Sequence, residues 1–362
     1  MKLFPSLEKK YSTEEKTAQE AQRLAHEIAF GPVVFQVSRL MVKFGILQLL
    51  LDSEKGLTLE EIAGKTPALS RYALQVLLES SLTTGTVLHK EGRFEASKTG
   101  WFLLNDPLVR VNMDFNHDVN YLGWFSLEEA LLKGKPEGLK VFGPWPTIYE
   151  GLSMLPERVQ DSWLAFDHFY SNHSFDQALD IVFGYHPRTL LDVGGNTGCW
   201  AMRCVAHDPE IQVTILDLPG QIELMKRHTS EVCGAGRIRA FEADVLDRNT
   251  AFPTGFDAIW MSQFLDCFSE EEVCSILGRA SEAMHPHTRL FIMETFWDRQ
   301  RFETAAYCLT QISLYFTALA NGNSKMYHSH DMIRCLEAVG LEVEKIHDGL
   351  GKGHSILICK KK

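Results

Sequence analysis

The chain has 362 residues, too many for one average domain and enough for two, and 45% of them are hydrophobic, which supplies a sizeable core. A formal net charge of −11 argues against a protein whose main work is coating nucleic acid or an anionic membrane. No apolar run is long enough to span a bilayer, and the opening MKLFPSLEKK leads into charged residues in place of a secretion-signal core, so the expectation is a cytoplasmic protein without a membrane partner.

From Ala18 to Leu51 apolar residues recur at helical spacing, among them Phe35, Val42, Ile46 and Leu49, with Pro32 near a boundary; this predicts a long helical region. TLEEIAG, from Thr58, has the spacing of a capping box with Glu61, and SRYALQVLLESS, from Ser70, predicts a second helix capped by Ser70. TVLHKEGRFEA, from Thr86 to Ala96, reads as strand, glycine turn and strand, completing a winged-helix pattern. Such a pattern often binds DNA, but its second helix offers only Arg71 as a basic residue and also carries Glu79, so phosphate neutralisation would be weak. Its apolar surplus suits a homodimer interface better, with no nucleic-acid partner. Residues 1–105 are therefore expected to form a helical, winged-helix domain, and residues 106–185 a mainly helical linker. The linker's aromatic runs YLGWFSL and VFGPWP either pack as core or line a pocket for a small molecule.

In residues 186–362 short apolar segments alternate with helical ones, the pattern of an α/β domain with a mostly parallel sheet covered on both faces. The expected strands are 189–193, 212–217, 238–243, 256–261, 289–294, 341–346 and 355–359. The last two, joined by HDGLGKG, read as a hairpin that adds an antiparallel last strand at the sheet edge. All eight cysteines, Cys199 to Cys359, lie in this half without a C-x-x-C pair; they are expected to be reduced core thiols with no metal.

LLDVGGNTGCW, from Leu190, joins the first of these strands to a helix. Asp192 closes the strand, and Gly194, Gly195, Asn196 and Gly198 form a turn that lets a ligand approach the backbone. A glycine turn alone also arises for packing reasons. Asp217, however, ends the next strand at the spacing from which a carboxylate reaches ribose hydroxyls, and Asp244, in EADVL, ends the third, where it could meet an adenine amine. Three strand ends thus describe an adenosine site. The acidic residue just before adjacent glycines would repel a pyrophosphate but can organise the cationic amino-acid end of S-adenosyl-L-methionine, which favours that cofactor over NAD.

DVGGNTG from Asp192, LDLP from Leu216, EADV from Glu242, FLDCFSEE from Phe264 and LFIMET from Leu290 stand in the order of the class I O-methyltransferases, and nearly the whole chain resembles the plant caffeic-acid type and its bacterial small-molecule relatives. The resemblance implies a Rossmann-like methyltransferase sheet, an N-terminal dimerisation domain and O-methylation of a small hydrophobic or aromatic acceptor. It implies cofactor contacts from Gly194, Asp217, with Leu218 beside it, Asp244 and Val245, and places Ser262 and Gln263 near the adenine and sulfonium side.

The same resemblance exposes a departure. The family's histidine base stands in a Leu-His-Asp-Trp-Ser motif, and the matching run here is LDCFS, so Asp266 takes the histidine's place. Of the two acidic residues that hold that histidine, Glu294 matches the first and the second falls near Ser329, flanked by His328 and His330. Three readings compete. Asp266 takes the acceptor's proton if burial and Glu294 raise its pKa; His328 or His330 substitutes; or Asp266 only orders its strand-helix turn and removes no proton. In the last case alignment alone drives transfer, or the cofactor serves chemistry other than methylation. The structural reading of His328-Ser329-His330 is a helix start, with Ser329 capping the segment from Asp331 to Val339. A winged-helix regulator that senses the cofactor is the alternative outside enzymes. Phe264, Phe268, Met293, Phe296, Trp297, Phe115 and Trp124 are the candidate acceptor wall.

Overall fold

The computed structural model describes Glu8, residues 11–171 and residues 174–362. Apart from Glu8, the opening MKLFPSLEKK lies outside the described residues. The chain forms two compact units, one chiefly Thr13–Val119 with Asp161–Phe166, the other chiefly Asn120–Gln160 and Asp167–Lys362.

In the first unit, the helical run expected over Ala18–Leu51 is three helices: Ala18–Ala29, Gly31–Lys43 and Ile46–Leu51. Pro32, which has no N–H to donate, sits in the opening turn of the second helix, and Gly45, at φ +71°, separates the second from the third. Glu61 N–H donates to Thr58 Oγ1 (3.2 Å) and Thr58 N–H to a Glu61 carboxylate oxygen (2.8 Å), the reciprocal bonds of the capping box. Ser70 caps Arg71–Thr83 through Ala73 N–H at 3.1 Å. Strands β1 (Val87–Lys90) and β2 (Arg93–Ala96) pair antiparallel around Glu91 and Gly92, both at positive φ, the geometry a two-residue hairpin needs. Met41, Ile46, Leu47, Leu50, Ile62, Leu74 and Leu78 make the core. Helix Ala18–Ala29 buries none of its residues, and Leu24 and Ile28 are exposed.

The second unit is built on a seven-stranded sheet: β3 (Thr189–Val193), β4 (Gln212–Asp217), β5 (Ile238–Glu242), β6 (Ala258–Ser262), β7 (Arg289–Glu294), β8 (Leu341–Leu350) and β9 (His354–Lys361), in the order β5-β4-β3-β6-β7-β9-β8. β3 to β7 are parallel, and β9 runs antiparallel to both of its neighbours. The hairpin expected at the sheet edge stands there, with the antiparallel last strand paired to β7. β9 is inserted between β7 and β8, and β8 is the edge. Residues 354–359 are all buried, whereas β8 exposes Glu344 and Lys345, so the apolar strand takes the inner position. His347 to Leu350, expected in the connecting turn, extend β8 instead.

Leu191, Val193, Met261, Ile292 and Leu357 pack one sheet face against helices Glu270–Ala283 and Ser329–Ala338. Leu190, Ile215, Trp260, Phe291 and Ile356 pack the other against Phe175–Phe183 and Cys199–His207, where the rings of Trp200 and Trp260 stack at 4.2 Å. The eight thiols are free, but they are not all core: Cys204, Cys335 and Cys359 are buried, while Cys199 and Cys233 face solvent, the first opening a helix and the second in a loop. Among the described residues, no helix is long and apolar enough to cross a membrane.

Because β9 holds β7 and β8 together from inside the sheet, Ile358→Ala is expected to lower unfolding stability by roughly 2–5 kcal/mol in urea denaturation. Lys345→Ala, on the exposed edge, should change it by no more than about 0.5 kcal/mol.

Candidate active site

The turn after β3 is shaped by positions that exclude side chains. Gly194 (φ +73°) and Gly198 (φ +84°) are left-handed, and a Cβ on Gly194 would collide with the ring of Phe264. One on Gly195 would lie 2.7 Å from Asp192 Oδ2. Gly194 N–H donates to Leu216 C=O at 2.9 Å, which ties the turn to the end of β4. Asn196, at φ +49°, donates its N–H to Asp217 Oδ2 (2.8 Å), and Leu218 N–H donates to Asp217 Oδ1 (2.8 Å). Two backbone donors thus aim the Asp217 carboxylate beside the glycines. Ala243 N–H donates to Asp217 C=O (3.0 Å), bringing up the exposed Asp244, whose Oδ1 accepts from Leu246 N–H at 2.8 Å. Val245 is buried and its C=O accepts from Arg279. Ser262 closes β6; Gln263 follows at φ +46°, N–H bonded to Met293 C=O (2.9 Å), its Oε1 buried without a partner among the described residues.

Asp192 is buried, and its Oδ2 has no partner among the described residues. Burial, with the Asp217 charge added, pushes its carboxyl up to about 8. A cradle of side-chain-free backbone beside an orphaned carboxyl fits a ligand that carries a cation at this point.

Two further carboxyls meet at the ends of β6 and β7. Glu294 Oε1 accepts the N–H groups of Phe264 (3.0 Å) and Leu265 (2.9 Å), while its buried Oε2 has no partner among the described residues. The turn so held, Leu265–Cys267, carries the buried Asp266, whose Oδ1 accepts from the Cys267 thiol at 3.6 Å. Burial, with the charge of Asp167, raises Asp266 to about 7; burial and the Asp266 charge raise Glu294 well above the carboxylate range.

The histidines stand in a different environment. His328, not Ser329, caps helix Ser329–Ala338: its Nδ1 accepts His330 N–H at 3.0 Å, because the Ser329 hydroxyl and N–H are taken by Asp298 at 2.6 and 2.7 Å. His328 is buried against Trp297, with Asp298 Oδ2 at 3.6 Å, and His330 is exposed. The part of this segment near the carboxyl pair is Met326, whose sulfur accepts from Thr295 Oγ1 (3.5 Å), and Tyr327, whose hydroxyl donates to Phe268 C=O (2.5 Å). Of the candidate acceptor wall, Phe264 and Phe268 form a half-buried T-shaped pair, and Trp124 and Trp297 are half-buried. Met293 and Phe296 are fully buried core residues, and Phe115 belongs to the first unit, stacked on Phe166. Sequence reasoning missed Tyr327, hidden by the neighbouring histidines, and Asp167, which no motif marks.

A parallel sheet with an antiparallel strand inserted next to its edge, a glycine turn after the first parallel strand and carboxylates closing the strands beside it define the methyltransferase class of α/β proteins. The chain belongs to the O-methyltransferase family, whose domain matches residues 124–337, and a Dimerisation2-like domain matches residues 22–94. It is 24% identical over 304 residues to an L-tyrosine C(3)-methyltransferase of Streptomyces lavendulae, covering 83% of this chain and 81% of the relative. To a demethylspheroidene O-methyltransferase of Cereibacter sphaeroides it is 25% identical over 327 residues, covering 90% and 83%. Among solved structures, the apo form of the S-adenosylmethionine-dependent methyltransferase SibL superposes with a TM-score of 0.69 at 22% identity, over 92% of this chain and 98% of that one.

The folded chain keeps the Asp192 proton up to about pH 8, whereas the unfolded chain releases it near the ordinary carboxylate value. The folded state binds more protons in that window, so stability falls as pH rises through it. Asp192→Asn should therefore show a shallower fall of Tm between about pH 5 and pH 8 by calorimetry. Asp266 and Glu294 act in the same direction, so the slope is reduced and not abolished. Equal slopes in the two proteins would contradict the assignment.

Proposed function

We propose that this enzyme transfers a methyl group from S-adenosylmethionine to the oxygen of a small hydrophobic or aromatic acceptor, with Asp266 receiving the acceptor's proton. The observation that carries the reading is the shared location of two groups at one sheet edge: the glycine cradle with Asp217 at the ends of β3 and β4, and the Asp266–Glu294 pair at the ends of β6 and β7.

When bound, S-adenosylmethionine supplies an electrophilic methyl on a sulfonium. Asp217, whose oxygens keep a lone pair each beyond their backbone donors, would hold the ribose hydroxyls. Asp244 would accept from the adenine amine, with Val245, Ser262 and Gln263 along the same side, and Asp192 would face the cationic amino-acid end beneath Gly194, Gly195 and Gly198. A carboxyl raised to about 7 suits proton uptake better than an ordinary one, yet a phenol near pKa ~10 remains a poorer acid. Alignment of the acceptor and exclusion of water therefore supply most of the acceleration. The bond to His328 supports Asp266 over His328: its Nδ1 lone pair is taken by the His330 N–H. The likeness to a C(3)-methyltransferase favours one second reading, transfer to a ring carbon whose neighbouring hydroxyl gives its proton to Asp266.

We further propose a homodimer. The match to a dimerisation domain and the helix Ala18–Ala29, which buries nothing within its own chain, support it.

Calorimetric titration should give a binding heat with S-adenosylmethionine and none with NAD. Asp217→Ala should weaken binding roughly 10- to 100-fold, and no heat with the folded wild type would overturn the reading. Asp266→Asn should keep cofactor affinity while turnover loses its acid limb near pH 7; an unchanged pH profile would reject the base role. By light scattering the protein should run at twice 41.0 kDa, and Ile28→Asp should shift it to the monomer.

A further inference from the structure

We infer that Arg279 is a positioning residue for the adenine end of the cofactor, setting the direction of the Asp244 carboxylate through the peptide unit between Val245 and Leu246. This rests on the reading of Asp244 as the acceptor of the adenine amine, and it names the group that holds that acceptor in place.

β5 is the outer strand of the parallel set and β6 lies beyond β4 and β3, so the chain between them crosses two strands, and residues 243–257 do so as irregular backbone. Such a segment has no ladder of its own, so its buried carbonyls need donors from elsewhere. Arg279 supplies them. Its Nη2 donates to Val245 C=O and its Nη1 to Asp247 C=O (3.0 Å) and Thr250 C=O (3.2 Å). Its Nε donates to Ser275 C=O (3.3 Å) in its own helix, Glu270–Ala283. The guanidinium lies over the Phe252 ring, 5.4 Å from its centre. Arg279 is itself buried, and Val273, Ile276, Leu277 and Ala280 anchor its helix in the core, so the donors are fixed and the loop conforms to them. A planar fork can span several carbonyls in this way, whereas the compact ammonium of a lysine cannot.

The connection to the site is a single peptide unit. Val245 C=O and Leu246 N–H belong to the same planar group, so fixing the direction of the oxygen fixes that of the hydrogen. Arg279 holds the oxygen, and the N–H donates to Asp244 Oδ1 at 2.8 Å. A cation on the oxygen also polarises the amide, which strengthens its N–H as a donor. Asp244 is exposed, and an exposed carboxylate without that donor would turn among its rotamers. Arg279 thus determines where the other oxygen of Asp244 points without itself touching the ligand.

The test reads binding and needs no acceptor. Calorimetric titration compares S-adenosylhomocysteine with S-inosylhomocysteine, which carries a carbonyl in place of the adenine amine. The wild type should prefer the adenosyl ligand by about 10-fold or more. Arg279→Lys should cut that preference to about 3-fold or less, mainly by weakening the adenosyl ligand, and Asp244→Ala should cut it as far. The double variant should go no further, because the link is already broken. Should Arg279→Lys fold poorly, an ester in place of the Val245–Leu246 amide removes the Leu246 N–H, leaves Arg279 intact, and should narrow the preference in the same way. A merely structural arginine would weaken both ligands alike and leave their ratio unchanged; that result, or a ratio indifferent to the ester, would overturn the inference. A wild type without the preference, or Asp244→Ala that retains it, would overturn the reading of Asp244 and the inference together. A preference lost in Asp244→Ala but kept in Arg279→Lys would overturn the inference alone.

Discussion

Glu294 closes β7 with a carboxylate turned towards the chain leaving β6, where one oxygen takes the backbone N–H groups of both Phe264 and Leu265. Those donors cannot pair within the sheet, because the strand has ended. One side chain thus satisfies two orphaned groups, fixes the turn that bears Asp266, and brings a second carboxyl next to the first. The ring of Phe264, placed by the same turn, lies where any side chain on Gly194 would stand. The turn that bears Asp266 and the glycine cradle are therefore mechanically one object.

This arrangement also accounts for how a protein of this family can carry an aspartate where a histidine is expected. A histidine in that place is held by acidic neighbours that favour its cation. With Asp266, burial opposes a negative charge, and Glu294 beside it is a second buried carboxyl and not a counter-cation. The Cys267 thiol, which donates to Asp266 Oδ1, is a neighbour that offsets part of this without a positive charge.

Much of the fold was legible from the residues. Capping pairs at Thr58 and Ser70, the hairpin at Glu91-Gly92 and the strand ending in Asp217 are set by local chemistry, and local chemistry shows in a short window. The cofactor edge was legible for the same reason: glycines that must lack a Cβ and an aspartate at a fixed spacing leave a mark in order. What escaped was decided at long range. The insertion of β9 between β7 and β8 depends on which of two strands is more apolar on both faces, a comparison no periodicity makes. The break of the first helical run hides in single residues, Pro32 and Gly45, inside an otherwise continuous pattern. The charge of Asp167 acts on Asp266 across more than ninety residues of chain, and the Ser329 hydroxyl, a cap by its position in sequence, is occupied by Asp298.

The position of β9 has a consequence for how the chain comes to be folded. β7 is complete by residue 294, but the neighbour that covers its open side is contributed by residues 354–361. Until that later segment arrives, the edge of β7, with Leu290, Phe291, Ile292 and Met293 in sequence, is an unpaired apolar strand able to join the same strand of another nascent chain. Glu294 pairs in register with Ser355, so the residue that fixes the turn after β6 is sheltered on this side only when that later segment arrives. Synthesis of this protein thus includes an interval in which the strand that ends in Glu294 is an open, adhesive edge.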